Sequence, residues 1–276
     1  MQKTDEALLG VFSITNDDYH SSPGVSRSML MLMEQSPLHY WHQYINPDFI
    51  KPEPTEPMVF GSAVHTAVLE PHQFHDQYYA LDKIDRRTTA GKAQYAKAMA
   101  ESAGKQLLSC EQYDAIKQIN TTIHNNAEAR QLIDYGKIER SIYWQDPDTG
   151  LLCKCRPDIW HDDMIIDLKT AKDATFRAFR NETFSRGYHI QAGMIQEALR
   201  HACNKEMYNF VYLTIEKTPP YAIAIFILDE EVIEHGVQEF KRLLQRLKHC
   251  KDANIWPSYE TRTLTLPGYF KYEVIE

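Results

Sequence analysis

The 276-residue sequence predicts a mixed α/β domain, a sheet backed by helices. Three observations support this. The first half reads as a series of short amphipathic or Ala-rich helices. Three β-rich segments joined by tight turns then follow one another between 137 and 171. After them, helical and strand patterns alternate to the end. That order of elements suits a sheet with helices packed on it.

Each element has a local reason. The stretch "SRSMLMLMEQSPLHYWHQY" (26–44) predicts two short helices, with Ser26 as N-cap and Ser36-Pro37 starting the second. The prolines of 46–57 make a loop. "MVFGSAVHTAVLE" (58–70) is apolar and helical, ended by Pro71. Residues 88–104 and 110–133 predict further helices. "KIERSIYWQ" (137–145) alternates as a strand, with Ile138, Arg140, Ile142 and Trp144 on one face. "DPDTG" (146–150) is a turn, 151–160 a second strand, 161–163 another turn and 164–171 a third strand. Consecutive strands with short connections predict a three-strand antiparallel meander. A helix over 187–203, strands over 207–216 and 221–229, and a long helix over 229–251 complete the chain. The apolar 29–44 stretch fits the core or, alternatively, an interface between copies. A single domain is expected, largely helical over 26–134, with the sheet over 135–276.

Bulk composition narrows the function. Hydrophobic residues make up 43% and charged residues 25%, as in an ordinary globular protein. No apolar run is long enough to predict a membrane span, and no signal peptide is visible at the start. Five scattered cysteines fit reduced thiols in a cytoplasm rather than a disulfide framework. Cys153 and Cys155 alone are too few for a structural zinc site. The net charge of −8 means that nucleic acid could bind only through a local basic surface. Two stretches qualify, 83–105 and 241–251, although the second can equally be a solvated helix face.

The chemistry concentrates in "CKCRPDIWHDDMIIDLKTAKDATF" (153–176). In the third strand, Ile165, Asp167 and Lys169 share one face, and Met164, Ile166 and Leu168 the other. Asp158 lies at the end of the preceding strand and can approach Asp167 across the hairpin. Two carboxylates in an apolar setting repel and desolvate each other unless a proton or a cation intervenes. Oxygen ligands suit Mg²⁺ or Mn²⁺. A lysine beside such a site can orient an attacking water and stabilise developing negative charge. Together these groups suit phosphodiester hydrolysis; an ordinary Asp–Lys surface pair on an edge hairpin is the alternative. On the later helix, Tyr188 and Gln191 share a face. On the 58–70 helix, His65 lies on the same face as Gly61, whose missing side chain would let that face approach the sheet.

The sequence resembles the RecE-type exonucleases (exonuclease VIII), a branch of the PD-(D/E)xK nucleases related to the RecB nuclease domain and to lambda exonuclease. The resemblance runs from about residue 26 to 269. It is carried by "GVSRSMLMLMEQSPLHYW", "FGSAVHTAVLEPHQF", "RRTTAGKA", "CRPDIW…IIDLKTAKDAT", "GYHIQAGMIQEAL" and "WPSYE…LTLPGYF". It implies a restriction-endonuclease-like core and an Mg²⁺-dependent exonuclease that degrades duplex DNA from 5′ ends and leaves a 3′ single strand. It implies that His65, Asp158 and Asp167 ligate metal with help from the Leu168 carbonyl. Lys169 would assist the water, and Tyr188 and Gln191 would position DNA or the lysine. Glu139 either joins this set, as an acidic residue does in related nucleases, or faces solvent. The resemblance also implies a ring, a trimer or tetramer, and a single-strand annealing partner in a phage or prophage recombination setting. With no cysteine before Cys110, an iron–sulfur cluster is not expected. With no G-x-x-x-x-G-K-[ST], neither is ATP hydrolysis. From charge and position, Arg86, Arg87 and Lys92 are expected to grip phosphate.

Overall fold

The computed structural model describes residues 8–85, 87–207 and 209–266. The chain opens with β1 (Gly10–Phe12) and α1 (Asn16–Ser21). Next come α2 (Arg27–Gln35) and α3 (Pro37–Tyr44). Ser36 caps α3, its hydroxyl accepting from the His39 amide, and Pro37 sits in the first turn, where no amide donor is needed. The proline loop leads to α4 (Glu56–Leu69) and α5 (Pro71–Gln77). Then follow β2 (Tyr78–Leu81), α6 (Thr89–Ser102), β3 (Gln106–Ser109), α7 (Cys110–Asn125) and α8 (Ala127–Ile133). The sequence pattern over 110–133 predicts one helix. Asn126 divides it, because its extended backbone ends α7 and its side chain caps α8 by accepting from the Ala129 amide.

The second half holds β4 (Lys137–Ile138), β5 (Ser141–Gln145), β6 (Leu152–Cys155), β7 (Ile159–Trp160) and β8 (Met164–Ala171). The chain closes with α9 (Phe176–Ser185), α10 (Tyr188–Cys203), β9 (Asn209–Glu216), β10 (Ile223–Ile227) and α11 (Glu230–Ala253). The central sheet has the order β10-β9-β8-β7-β4. It is mixed: β8 and β9 run parallel, and the remaining neighbours are antiparallel.

The expected meander keeps its antiparallel order but not its single sheet. Its first two strands each break in the middle. Glu139 adopts a left-handed backbone, φ +52°, and Pro157 supplies no amide to a ladder. So β7 pairs with β8 and β4 with β7 in the central sheet, while β5 and β6 join β1 in a separate three-stranded sheet. The alternation expected over 137–145 therefore stops at the break, and Tyr143 and Trp144 are both buried. The strands β1, β2 and β3 and the helix α9 carry no pattern strong enough to predict them.

The central sheet divides two apolar clusters. On one face, Ile165, Phe210 and Tyr212 pack with Leu30 and Met33 of α2, Ile195 of α10 and Phe240 of α11. On the other, Ile166, Leu168, Val211 and Leu213 pack with Val64 of α4 and Ile116 and Ile119 of α7. The alternation read along 164–171 thus matches the structure. Burial of Leu30 and Met33 places the α2 stripe in the core. Among the described residues, no helix is long and apolar enough to cross a membrane.

Candidate active site

The break in each bent strand turns an acid toward a common point. Glu139 follows β4, and its amide donates to the Asp158 carbonyl across 2.9 Å. Asp158 precedes β7, and its Oδ2 accepts from the Leu168 amide at 2.7 Å. His65 projects from α4, its Nδ1 3.4 Å from that same oxygen. One ligand atom from each of His65, Glu139 and Asp158 lies within 4.8 Å of the others. The Leu168 backbone also reaches His65, as a hydrogen-bond partner that favours the charged ring.

Glu139 is thus turned into the cluster, where its side chain is 19% exposed. Arg156 holds it there. The Arg156 Nε donates to the Glu139 carboxylate, and its Nη1 donates to the Ile14 carbonyl and the Ser141 hydroxyl. Arg156 therefore fastens the acid to the start of the chain. No pattern in the sequence singles out this arginine, although it sits two residues before Asp158.

Asp167 and Lys169 form a second group beside the first. Their side chains make an ion pair, with Asp167 fully buried. Gln191 of α10 bridges them, its Nε2 donating to Asp167 Oδ1 at 2.6 Å and its Oε1 accepting from Lys169 Nζ at 3.4 Å. The Tyr188 ring lies under the ammonium, 4.7 Å from Nζ, with the Arg27 guanidinium 5.3 Å from the same ring. Arg27 donates to the carbonyls of Arg186 and Gly187 at the start of α10. That interaction had no sequence signal.

The structure therefore groups His65, Asp158 and Glu139 in one cluster, with the Leu168 backbone against it. Asp167, expected as a further ligand, lies beside that cluster with its carboxylate paired to Lys169 and Gln191. Gly61 does lie over β8, but a Cβ there would meet only Thr170 Oγ1, at 4.0 Å. Close approach does not require that glycine. Arg87 is exposed and paired with Asp85, and Lys92 is exposed near the start of α6. Arg86 lies outside the described residues.

Electrostatics explain what the cluster needs. Burial first, and then the Asp158 charge, push the Glu139 carboxyl up to about 7 against the opposing Arg156. Burial and the Asp167 charge raise Asp158 as well. Burial and the Lys169 charge lower His65, favouring the neutral imidazole. A neutral imidazole and two carboxylates that resist ionising side by side fit a divalent cation, which would relieve both penalties. His65, Glu139 and Asp158 would hold it.

The fold and the site define a PD-(D/E)xK-like domain with the cluster of a metal-dependent phosphodiester hydrolase. The chain belongs to the family described as the PDDEXK-like domain of unknown function (DUF3799), whose model matches residues 26–263. No curated protein matches it. Among solved structures it resembles a candidate exonuclease from Eubacterium rectale, with a TM-score of 0.62 and 14% identity over 93% of this chain and 96% of that one. At that identity the likeness shows the fold. An alkaline exonuclease from Laribacter hongkongensis also matches, at 14% identity over 70% of this chain and 89% of that one. Its TM-score of 0.27 is too low to carry an argument.

Proposed function

We infer that the protein is an ATP-independent, Mg²⁺-dependent exonuclease that degrades duplex DNA from 5′ ends and leaves 3′ single-stranded overhangs. The observation that carries this reading is the pairing of two groups at one point. The His65–Glu139–Asp158 cluster stands against the Lys169–Asp167–Gln191 set, joined through Leu168. The resemblance in sequence to RecE-type exonucleases adds the polarity and the product. The name of the Eubacterium rectale relative agrees with it.

A divalent cation bound at the cluster would acidify a coordinated water and offset negative charge on the scissile phosphate. Lys169 follows Leu168, and its charge acts on both His65 and Asp158; in this reading its ammonium orients the water and stabilises charge on the phosphoryl oxygens. Asp167, Gln191 and the Tyr188 ring hold the ammonium in place. Arg156 holds Glu139 at the cluster through a charge-assisted hydrogen bond. Capture of DNA ends by a trimeric or tetrameric ring, and hand-over of the 3′ strand to an annealing protein, belong to the same proposal.

The deciding experiment digests linear duplex labelled separately at its 5′ and 3′ ends, in Mg²⁺ and in EDTA, beside a closed circle. Metal-dependent loss of the 5′ label with the circle intact is the expected result. Nicking of the circle would make the protein an endonuclease. Binding of ends with no shortening in Mg²⁺ or Mn²⁺ would make it a recognition module.

A further inference from the structure

Helix α9 carries a stripe that neither the core nor the cluster uses. Phe176, Arg180 and Phe184 recur every four residues and so share one face. Phe176 is 67% exposed and Phe184 45%. The Arg180 guanidinium lies 5.5 Å from the centre of the Phe176 ring. Arg177 and Lys172 are exposed beside this face. Among the described residues, no ion pair engages Lys172, Arg177 or Arg180. The nearby acids are already occupied: Asp173 accepts from the Thr175 amide, and Glu182 pairs with Arg186. In a chain with a net charge of −8, this is an uncompensated cationic surface with two partly exposed aromatic rings, Phe176 beside Phe226 and Phe184 beside His189.

Its position ties it to the site. Lys172 is three residues beyond Lys169, so it lies within about 10 Å of the catalytic lysine. The buried face of α9 packs Phe179 against Tyr188 and Tyr212, the rings that flank Lys169 and Asp167. From Phe176 to Phe184 the stripe runs about 12 Å along the helix. A strand leaving the reaction centre past Lys172 would meet it.

We propose that this face of α9 binds single-stranded DNA, with Lys172, Arg177 and Arg180 on phosphates and Phe176 and Phe184 under unpaired bases. The charge selects a polyanion. The rings select an unpaired strand, because a duplex hides its base faces and a single strand offers them. The proposal rests on the nuclease reading above, and it names where that enzyme holds an unpaired strand.

The test measures binding in EDTA, so that it does not depend on cleavage. Fluorescent oligothymidylate and a duplex of equal length are titrated with the full chain and with Phe176→Ala, Phe184→Ala and Arg177→Ala/Arg180→Ala. Each aromatic variant is expected to bind the oligothymidylate about tenfold more weakly, with a smaller change for duplex. The arginine pair is expected to lower the salt slope. Phe176→Tyr should keep the parent's binding, since it keeps the ring. These side chains are exposed, so melting curves should stay unchanged and separate loss of binding from loss of fold. Oligothymidylate affinity within twofold of the parent in both aromatic variants would overturn the proposal. So would a change of oligomeric mass in sedimentation with strand affinity kept, which would make the patch an interface between copies. A chain that binds the strand through Phe176 yet never digests duplex would overturn the nuclease reading alone.

Discussion

Lys169 shows how much one side chain depends on its partners. Its ammonium contacts the Asp167 carboxylate, the Gln191 carbonyl oxygen and the Tyr188 ring. Lys169→Ala is expected to reduce turnover by more than about a hundredfold while DNA binding stays within a few fold, since the lysine is one among many cationic groups. Near-normal turnover in single-turnover digestion would remove it from the mechanism. Glu139 gives a pH prediction. Its carboxyl rises from 4.5 to about 7 in the fold, so the folded chain holds that proton more tightly than the unfolded chain does. Stability in EDTA should therefore be greatest below about pH 4.5 for this group and be lost as pH climbs toward 7. A divalent cation replaces the proton, so Mg²⁺ or Mn²⁺ should raise the melting temperature more at about pH 7.5 than at about pH 5. Glu139→Gln should flatten both effects. Parallel melting curves with and without metal across that range would argue that the cluster binds no cation.

At the scale of elements, the two bent strands build the cluster and a meeting of two glycines sets the helices behind it. Helix α10 delivers Tyr188 and Gln191, and α11 packs against its far side. The two cross where Gly193 meets Gly236. A Cβ on Gly193 would fall 2.2 Å from the Gly236 carbonyl carbon, and one on Gly236 would fall 2.0 Å from the His189 carbonyl oxygen. Both clashes are with backbone, so no side-chain rotation relieves them. Gly193→Ala is expected to lower the melting temperature by roughly 5–10 °C through overpacking. It should also slow digestion if α10 gives way, because a shift of α10 moves Gln191 against Asp167. A thermal melt beside an activity assay checks both. An unshifted melt would mean that the crossing yields easily.

For the whole molecule, the question is where an acidic chain meets a polyanion. The carboxylates at the cluster repel DNA until a cation is present, so affinity must come from local basic surfaces. Arg86, Arg87 and Lys92 remain one proposed surface and α9 is another. Replacing all three by Ala should lower the slope of log affinity against log salt by up to about 3, near 0.9 for each phosphate no longer neutralised. An unchanged slope would remove them from the footprint. Arg87 already pairs with Asp85, so its share of the change is expected to be the smallest.

The sequence by itself determined the helical first half and the face alternation of 164–171. It also placed Asp158, Asp167 and Lys169 around one hairpin. These are local properties: capping residues, periodicity and turn chemistry act over a few positions. It could also place His65 and Gln191 on helix faces, but their roles came only through resemblance, since nothing local says what a helix face will meet. Tertiary structure decided the rest. It divided the expected meander between two sheets at Glu139 and Pro157, because each break depends on which neighbour the remaining half-strand finds. It turned Glu139 inward, where the sequence pattern left both directions open. It gave Arg156 the task of holding that acid and Arg27 that of bracing Tyr188. An arginine can reach many partners, and only packing selects one.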